Sequence, residues 1–199
     1  MNNEIREQFF KNRAIPIKDV VSKELASFLS HVLLRAPIYR GQKDDTQVPG
    51  AAGILDHEYV FETLQERIWP LVENVIGEEL IPTYSYARLY ANGCDLKKHT
   101  DRPACEISVT VQLARSHHYS WPIWMGGKRY DLGEGDGVIY LGEQIEHWRE
   151  PCDGPEGYLS GQVFFHFVRK NGPHIMQAND RRPESTMYIR NQQFIFEGK

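Results

Sequence analysis

Three side chains that often bind metals, His99, Asp101 and His147, are spaced so that they could surround one ion. His99 and Asp101 belong to a His-Thr-Asp motif, and in an extended segment residues two apart project to the same side. Two imidazoles and one carboxylate on one face of an octahedron leave three coordination sites open, which suits the chemistry of Fe(II) with oxygen. On its own the motif is common and equally fits a surface loop.

His147 follows a second recognisable pattern. The turn Gly135-Asp136-Gly137 leads into an apolar segment that ends at Tyr140, and His147 opens the next segment beside Trp148. A tight turn that feeds a buried strand would hold a following histidine in a fixed place. The alternative is a structural histidine that packs against the tryptophan.

The elements that must position these residues change in character near Pro82. Before it, residues 20–34 have the apolar spacing of an amphipathic helix, with Ser22 as its N-cap. A second helix is predicted from Glu58, or the residue before it, to Ile76, and Gly77 should end it.

After Pro82 the chain is rich in β-branched and aromatic residues that Gly and Pro interrupt. Strands are predicted at residues 83–90, 106–113, 137–141 and 162–169. Helices followed by many short strands indicate an α+β fold with a jelly-roll of two antiparallel sheets. We therefore predict a single domain with helical support over about residues 1–80, a β core over about 81–170 and a C-terminal extension over 171–199.

Composition narrows the function classes. The chain has 199 residues, 41% hydrophobic residues and a net charge of -4, which argues against a broad nucleic-acid surface. It contains neither an apolar run long enough to span a membrane nor the apolar segment of a signal peptide. The three cysteines are too few and too scattered for a disulfide framework, so a reduced, cytoplasmic protein is expected.

The order of the motifs is more specific than either motif alone. The chain has a His-x-Asp, then a Gly-Asp turn and a strand, and, about forty-five residues after the His-x-Asp, a His with a nearby Pro. This order resembles the 2-oxoglutarate/Fe(II)-dependent dioxygenases. The resemblance covers about residues 83–169 and is nearest to the prolyl-4-hydroxylase-like branch. It implies a double-stranded β-helix in which His99, Asp101 and His147 bind iron, with 2-oxoglutarate and O2 as cosubstrates. It also admits ascorbate as a cofactor.

The same resemblance implies hydroxylation of an amino-acid or peptidyl substrate, a prolyl one included, while 2-oxoglutarate is decarboxylated to succinate. Two alternatives stay open. One is hydroxylation of a small metabolite. The other is a non-catalytic jelly-roll module that only binds a metal. Neither a nucleic acid nor a membrane is expected as a partner.

The chain departs from this family at the site of the cosubstrate. Relatives carry a Lys or Arg about ten residues after the second metal histidine, but residues 152–168 contain neither, and Gln162 stands where that strand should begin. A buried carboxylate needs donors, so other side chains must replace the missing cation. The candidates on inward-facing positions are Tyr90, Arg88, Arg149, Gln162, His166 and Gln112.

Among these candidates we favour Arg149 for the distal carboxylate, because it lies two residues after His147, and Arg88 could instead bind an acidic group of a substrate. Each arginine could also be solvated or paired with an acid, and Gln112 could face outward. We further expect the Gly-containing loop 40–53 and the segment 121–124 to close over the substrate, although its two tryptophans could simply cover a core edge.

Overall fold

Two antiparallel sheets, three α-helices and two short 3-10 helices (Pro103–Cys105 and Ile175–Arg181) are present in the computed structural model, which describes residues 3–37, 45 and 47–182. The helices are α1 (Asn3–Asn12), α2 (Lys23–Leu34) and α3 (Tyr59–Ile76). The strands are β1 (Ala14–Ile17), β2 (Gly53–Asp56), β3 (Leu80–Ala91), β4 (Leu96–His99), β5 (Ile107–Arg115), β6 (Ile123–Met125), β7 (Lys128–Tyr130), β8 (Gly137–Tyr140), β9 (His147–Arg149) and β10 (Leu159–Arg169).

The larger sheet has the strand order β1-β8-β5-β10-β3-β2, and the smaller one has the order β4-β9-β6-β7. Strands distant in sequence are neighbours in both sheets, as in a jelly-roll. The α+β class and the jelly-roll predicted from the sequence are therefore confirmed. No helix among the described residues is both long enough and apolar enough to cross a membrane.

Helices α2 and α3 begin and end where local sequence signals place them. The Ser22 side chain accepts a hydrogen bond from the backbone N–H of Leu25, at 3.2 Å, and so caps α2. Gly77 ends α3 in the left-handed conformation, with φ of 74°. Apolar side chains of both helices, such as Leu33 and Val72, are fully buried in one cluster with residues of the larger sheet. The helices therefore cover one face of that sheet and leave its other face free for the site.

The first eighty residues are less purely helical than expected. Helix α1 and strands β1 and β2 were not predicted, and both strands lie at the edges of the larger sheet. Each has only four residues, and β1 contains Pro16, which is tolerated at a sheet edge but conceals a strand pattern. The helical support over about residues 1–80 is thus corrected to helices plus two edge strands.

Strand β5 separates apolar from polar side chains, as its alternation predicts. Val109 and Val111 belong to the core beneath the helices, whereas Ser108, Thr110 and Gln112 face the space between the sheets and are also buried. The alternative in which this polar face points outward is wrong. The interior of the barrel is consequently lined by groups that need hydrogen-bond partners.

The Gly-Asp turn before β8 has a structural role. Gly135 has a φ of +87°, and a Cβ at this position would lie 2.2 Å from the carbonyl oxygen of Val21. The Asp136 carboxylate, 6% exposed, accepts hydrogen bonds from the backbone N–H groups of Gly133 at 2.9 Å and Asp19 at 3.2 Å. Lys18 Nζ lies 2.6 Å from the same carboxylate. The turn therefore fastens β8 to the chain that leads into α2.

We expect Asp136→Ala to lower the free energy of unfolding by about 1–3 kcal/mol, because two backbone donors lose their acceptor. Urea unfolding followed by tryptophan fluorescence measures the change. Asp131→Ala is the matched control, since Asp131 forms an exposed pair with Arg129 and should contribute less than about 1 kcal/mol. Equal effects of the two substitutions would contradict the structural role of Asp136.

Candidate metal centre

The pairing of β4 with β9 brings three potential metal ligands together. His99 and His147 are cross-strand partners, so their rings meet with centroids 4.2 Å apart. Asp101 Oδ1 lies 3.6 Å from His99 Nε2 and 3.4 Å from His147 Nε2. One donor atom from each of the three residues falls within 4.8 Å of the others. The structure therefore gathers the three residues that the sequence singled out.

Backbone carbonyls fix the orientation of both imidazoles. His99 Nδ1 lies 2.7 Å from the carbonyl oxygen of Lys97, and His147 Nδ1 lies 3.0 Å from that of Ile145. A carbonyl can only accept, so each Nδ1 carries the proton and each Nε2 offers its lone pair toward Asp101 when the ring is neutral. This is the ring orientation that metal-bound histidines usually have.

Asp101 is held by its backbone and by one of its oxygens. Its N–H donates to the carbonyl oxygen of Gly142 at 2.9 Å, and Ser108 Oγ donates to Oδ2 at 3.3 Å. A Cβ at Gly142 would approach Oδ2 to 2.5 Å, so this close contact requires glycine. Burial opposes ionisation of Asp101, but the close approach of the His147 and His99 rings outweighs burial and keeps the pKa of its carboxyl well below the usual value. Oδ1 is left facing the histidines as a carboxylate.

A cavity of about 400 Å3 opens beside these residues and lies between the two sheets. The larger sheet contributes Tyr84, Tyr86, Arg88, Phe164 and His166 to its walls. Aromatic and charged groups on one wall and three potential ligands on the other make a pocket of the size that small-molecule sites have.

His166 is a buried neutral histidine in this wall. Its Nδ1 lies 2.9 Å from Ser108 Oγ, and its ring packs against Tyr84 with centroids 4.5 Å apart. Burial lowers the pKa of His166 to about 4, so the ring is uncharged at neutral pH. His166 and Cys105 also form a group with Asp101 that could hold a metal, but this group shares its carboxylate with the first one.

Asp45 and Gln47, which precede β2 in the chain, line the cavity as well. No sequence pattern had marked either residue. Gln47 Nε2 lies 2.8 Å from His99 Nε2, and Gln47 Oε1 accepts from Arg88 Nη2 at 2.8 Å. Asp45 Oδ2 lies 2.5 Å from Arg88 Nε in a buried ion pair. Part of the predicted lid, residues 40–44 and 46, lies outside the described residues. The described part contacts the metal centre directly.

The remaining candidates for the cosubstrate site lie deeper in the barrel. Tyr90 is fully buried, its hydroxyl accepts from Arg88 Nη1 at 2.9 Å, and the Arg149 guanidinium lies 5.7 Å from its ring centroid. Gln112 and Gln162 face each other across β5 and β10, and their side-chain amides are in contact. All four residues are buried between the sheets, as their inward alternation predicted.

The two tryptophans of the segment 121–124 do not line the cavity. Trp121 is 5% exposed and packs at the edge of the Tyr90 ring, with centroids 5.0 Å apart. Trp124 stacks on Trp148 with an interplanar angle of 10°. The alternative in which these tryptophans cover a core edge describes their packing.

Comparison with known proteins gives a likeness of structure rather than of sequence. No protein-family model and no curated protein matches the chain. Among solved structures, a Pseudomonas putida prolyl-4-hydroxylase matches with a TM-score of 0.64 and 13% identity over 86% of this chain and 100% of its own. A non-haem α-ketoglutarate-dependent carbocyclase from nogalamycin biosynthesis has a TM-score of 0.67 and 10% identity over 87% of this chain and 88% of its own.

A third similar structure is HygX from Streptomyces hygroscopicus with nickel and 2-oxoglutarate bound. It has a TM-score of 0.61 and 13% identity over 83% of this chain and 87% of its own. At these identities the likeness concerns the fold. The chain has the double-stranded β-helix fold of the 2-oxoglutarate/Fe(II) oxygenases.

Proposed function

We propose that this protein is an Fe(II)- and 2-oxoglutarate-dependent oxygenase that hydroxylates an amino-acid or peptidyl substrate. The observation that carries the proposal is the convergence of His99 Nε2, His147 Nε2 and Asp101 Oδ1 within a pocket between the sheets. Two imidazoles and one carboxylate form the facial set of ligands that suits non-haem Fe(II) and leaves positions open for other ligands.

The donor set fits such an ion in detail. Both histidines are tied through Nδ1, which leaves Nε2 as the ligand atom of each, and Asp101 stays ionised. Fe(II), when bound with 2-oxoglutarate, would supply the oxidising chemistry by which O2 attacks an unreactive C–H bond. The protein contributes orientation and a shielded pocket.

The residues around the three ligands would keep this centre in one geometry. Ser108 bridges Asp101 Oδ2 and His166 Nδ1, so the carboxylate cannot easily rotate away from the histidines. His166 is neutral and adds no positive charge that would oppose a metal ion. Tyr140 packs edge-on against His147 with centroids 4.9 Å apart and restrains that ring from the other side.

The similar structures and the cavity bear on the substrate class. One similar fold belongs to a prolyl-4-hydroxylase, which favours an amino-acid or peptidyl substrate. A small-metabolite hydroxylase is the second candidate, because the cavity of about 400 Å3 suits a small molecule. Another structurally similar protein is a carbocyclase from nogalamycin biosynthesis. A non-catalytic metal-binding module is the third, favoured by the lack of Lys and Arg over residues 152–168.

Replacement of any ligand, in His99→Ala, Asp101→Ala or His147→Ala, should weaken Fe(II) binding by more than about 100-fold, because even the loss of an outer-shell partner costs about 10–100-fold. Anaerobic titration with Fe(II), or with Co(II) followed by its visible absorption, measures the affinity. Circular dichroism should stay unchanged, since the ligands line a pocket. His118→Ala is the control, as His118 is exposed and does not line this cavity. Any ligand variant that kept full affinity would remove that residue from the metal site.

Gln47→Ala should bind the metal more tightly than the unaltered protein, by about fivefold. Gln47 Nε2 donates to the lone pair of His99 that the metal needs, and one hydrogen bond contributes roughly 1 kcal/mol. The same anaerobic titration tests this, with Gln177→Ala as a control outside the cavity. A weaker affinity in Gln47→Ala would mean that Gln47 supports the bound metal instead of competing with it.

The reaction itself is tested by turnover of 2-oxoglutarate. The protein should convert 2-oxoglutarate to succinate only when Fe(II) and O2 are both present, slowly alone and faster with a true substrate. Succinate is measured by mass spectrometry, and candidate amino acids, peptides and metabolites are screened for a mass increase of one oxygen atom. Metal binding without succinate formation under any of these conditions would favour the non-catalytic module.

A further inference from the structure

Arg149 is a buried cation without an anionic partner. It is 2% exposed, and no Asp or Glu among residues 3–37, 45 and 47–182 forms an ion pair with it. Its Nη1 donates to the carbonyl oxygen of Trp121, while Nε has no hydrogen-bond partner. A buried charge is costly unless it is paired and its donors are satisfied. Arg149 therefore has unused capacity to bind an anion.

The other buried ionic groups show that this state is exceptional within the described residues. Arg88 is paired with Asp45, Glu106 with Arg169, and Asp136 with Lys18. The interior of this protein otherwise pairs each such group with an opposite charge. The unpaired guanidinium is thus better explained by a ligand than by the fold.

The position of Arg149 relative to the metal centre suits a dicarboxylic ligand. On β9, His147 and Arg149 are both buried, whereas Trp148 between them faces the other way. Two residues along a strand span roughly 6.6 Å, which a five-carbon diacid can bridge when one end is at the metal. The guanidinium lies 5.7 Å from the ring centroid of Tyr90, and Nη2 donates to the side-chain oxygen of Gln162 at 3.2 Å, which leaves Nε as the free donor.

We propose that Arg149 binds the distal carboxylate of 2-oxoglutarate, with the Tyr90 hydroxyl as a supporting donor. This inference rests on the proposed function and assigns the cation that residues 152–168 lack. Arg149 does not line the cavity, but Tyr90 contacts both Arg149 and Arg88, and Arg88 does line it. The carboxylate end of the cosubstrate would pass Tyr90 to reach Arg149.

Arg88 is the rival for this role, and its contacts favour a different one. Its three nitrogens already bind Asp45, Gln47 and Tyr90. A carboxylate at Arg88 would have to displace Asp45 from a buried ion pair, whereas a carboxylate at Arg149 would complete an unpaired charge. Arg88 therefore serves mainly to hold residues 45 and 47 over the cavity.

The test compares 2-oxoglutarate with 2-oxopentanoate, which has the same chain length and 2-oxo acid group but no distal carboxylate. Binding to the Ni(II)-loaded protein is measured by calorimetry, without turnover. Arg149→Met should weaken 2-oxoglutarate binding by about 10–100-fold, the usual effect of losing a hydrogen bond to a charged group, and leave the affinity for 2-oxopentanoate unchanged. Arg88→Met should change the affinities for 2-oxoglutarate and 2-oxopentanoate by similar factors, because Arg88 is paired with Asp45 and not with the distal carboxylate.

Two further measurements separate ligand binding from a structural role. Without ligand, Arg149→Met should melt no lower than the unaltered protein, since an apolar side chain replaces an unpaired buried charge. Adding Gln162→Lys to Arg149→Met should restore most of the affinity, because Gln162 lies beside the guanidinium on β10. Should Arg149→Met fail to fold, Arg149→Lys carries the test: it must weaken 2-oxoglutarate binding at least about threefold, because the guanidinium fork is lost.

An Arg149→Met protein that binds 2-oxoglutarate as tightly as the unaltered protein would overturn the assignment, as would a loss confined to Arg88→Met. These outcomes leave the proposed function standing. If the unaltered, Ni(II)-loaded protein binds neither 2-oxo acid, the proposed function itself fails, and the inference fails with it.

Discussion

The cross-strand pairing of His99 with His147 is the constraint on which the site depends. Because β4 and β9 are antiparallel neighbours in this register, two imidazoles from distant parts of the chain face the same space. A shift of one residue in β9 would turn His147 outward and Trp148 inward. Trp148 opposes that shift, since it stacks on Trp124 of the adjacent strand with ring centroids 5.9 Å apart.

The interior of the barrel contains buried polar side chains in place of apolar ones. Buried side chains such as Ser108, Thr110 and Gln112 occupy positions that hydrophobic residues could fill. Their hydrogen bonds are made mainly with other polar side chains of the interior. The Gln112 amide also donates to the backbone carbonyl of Leu113. Such networks favour one arrangement of the strands, because each alternative leaves a buried donor or acceptor unpaired. The apolar core beneath α2 and α3 supplies the stability that this interior does not.

Much of this organisation follows from local patterns in the sequence, and the exceptions have identifiable causes. Helix α3 and its end at Gly77 were predictable because periodicity and a terminal glycine agree. The inward faces of β3, β5 and β10 followed from alternation over nine or more residues. Strands of three or four residues, such as β4 and β9, are too short to show alternation. The roles of Asp45 and Gln47 depend on tertiary contacts that no local pattern encodes.

The contact between Asp101 and Gly142 also bears on the order in which the molecule folds. The carbonyl of Gly142 fixes the backbone of Asp101 across about forty residues of sequence, and β4 pairs with β9 across about fifty. Closing loops of this length costs chain entropy, and the compensating free energy is gained only once the contacts have formed. Such contacts therefore form slowly. Helices α2 and α3, built from local contacts, can form earlier. The ligand cluster is then among the last parts of the chain to assemble, and an immature chain would hold its three ligands apart while most of the core was already packed.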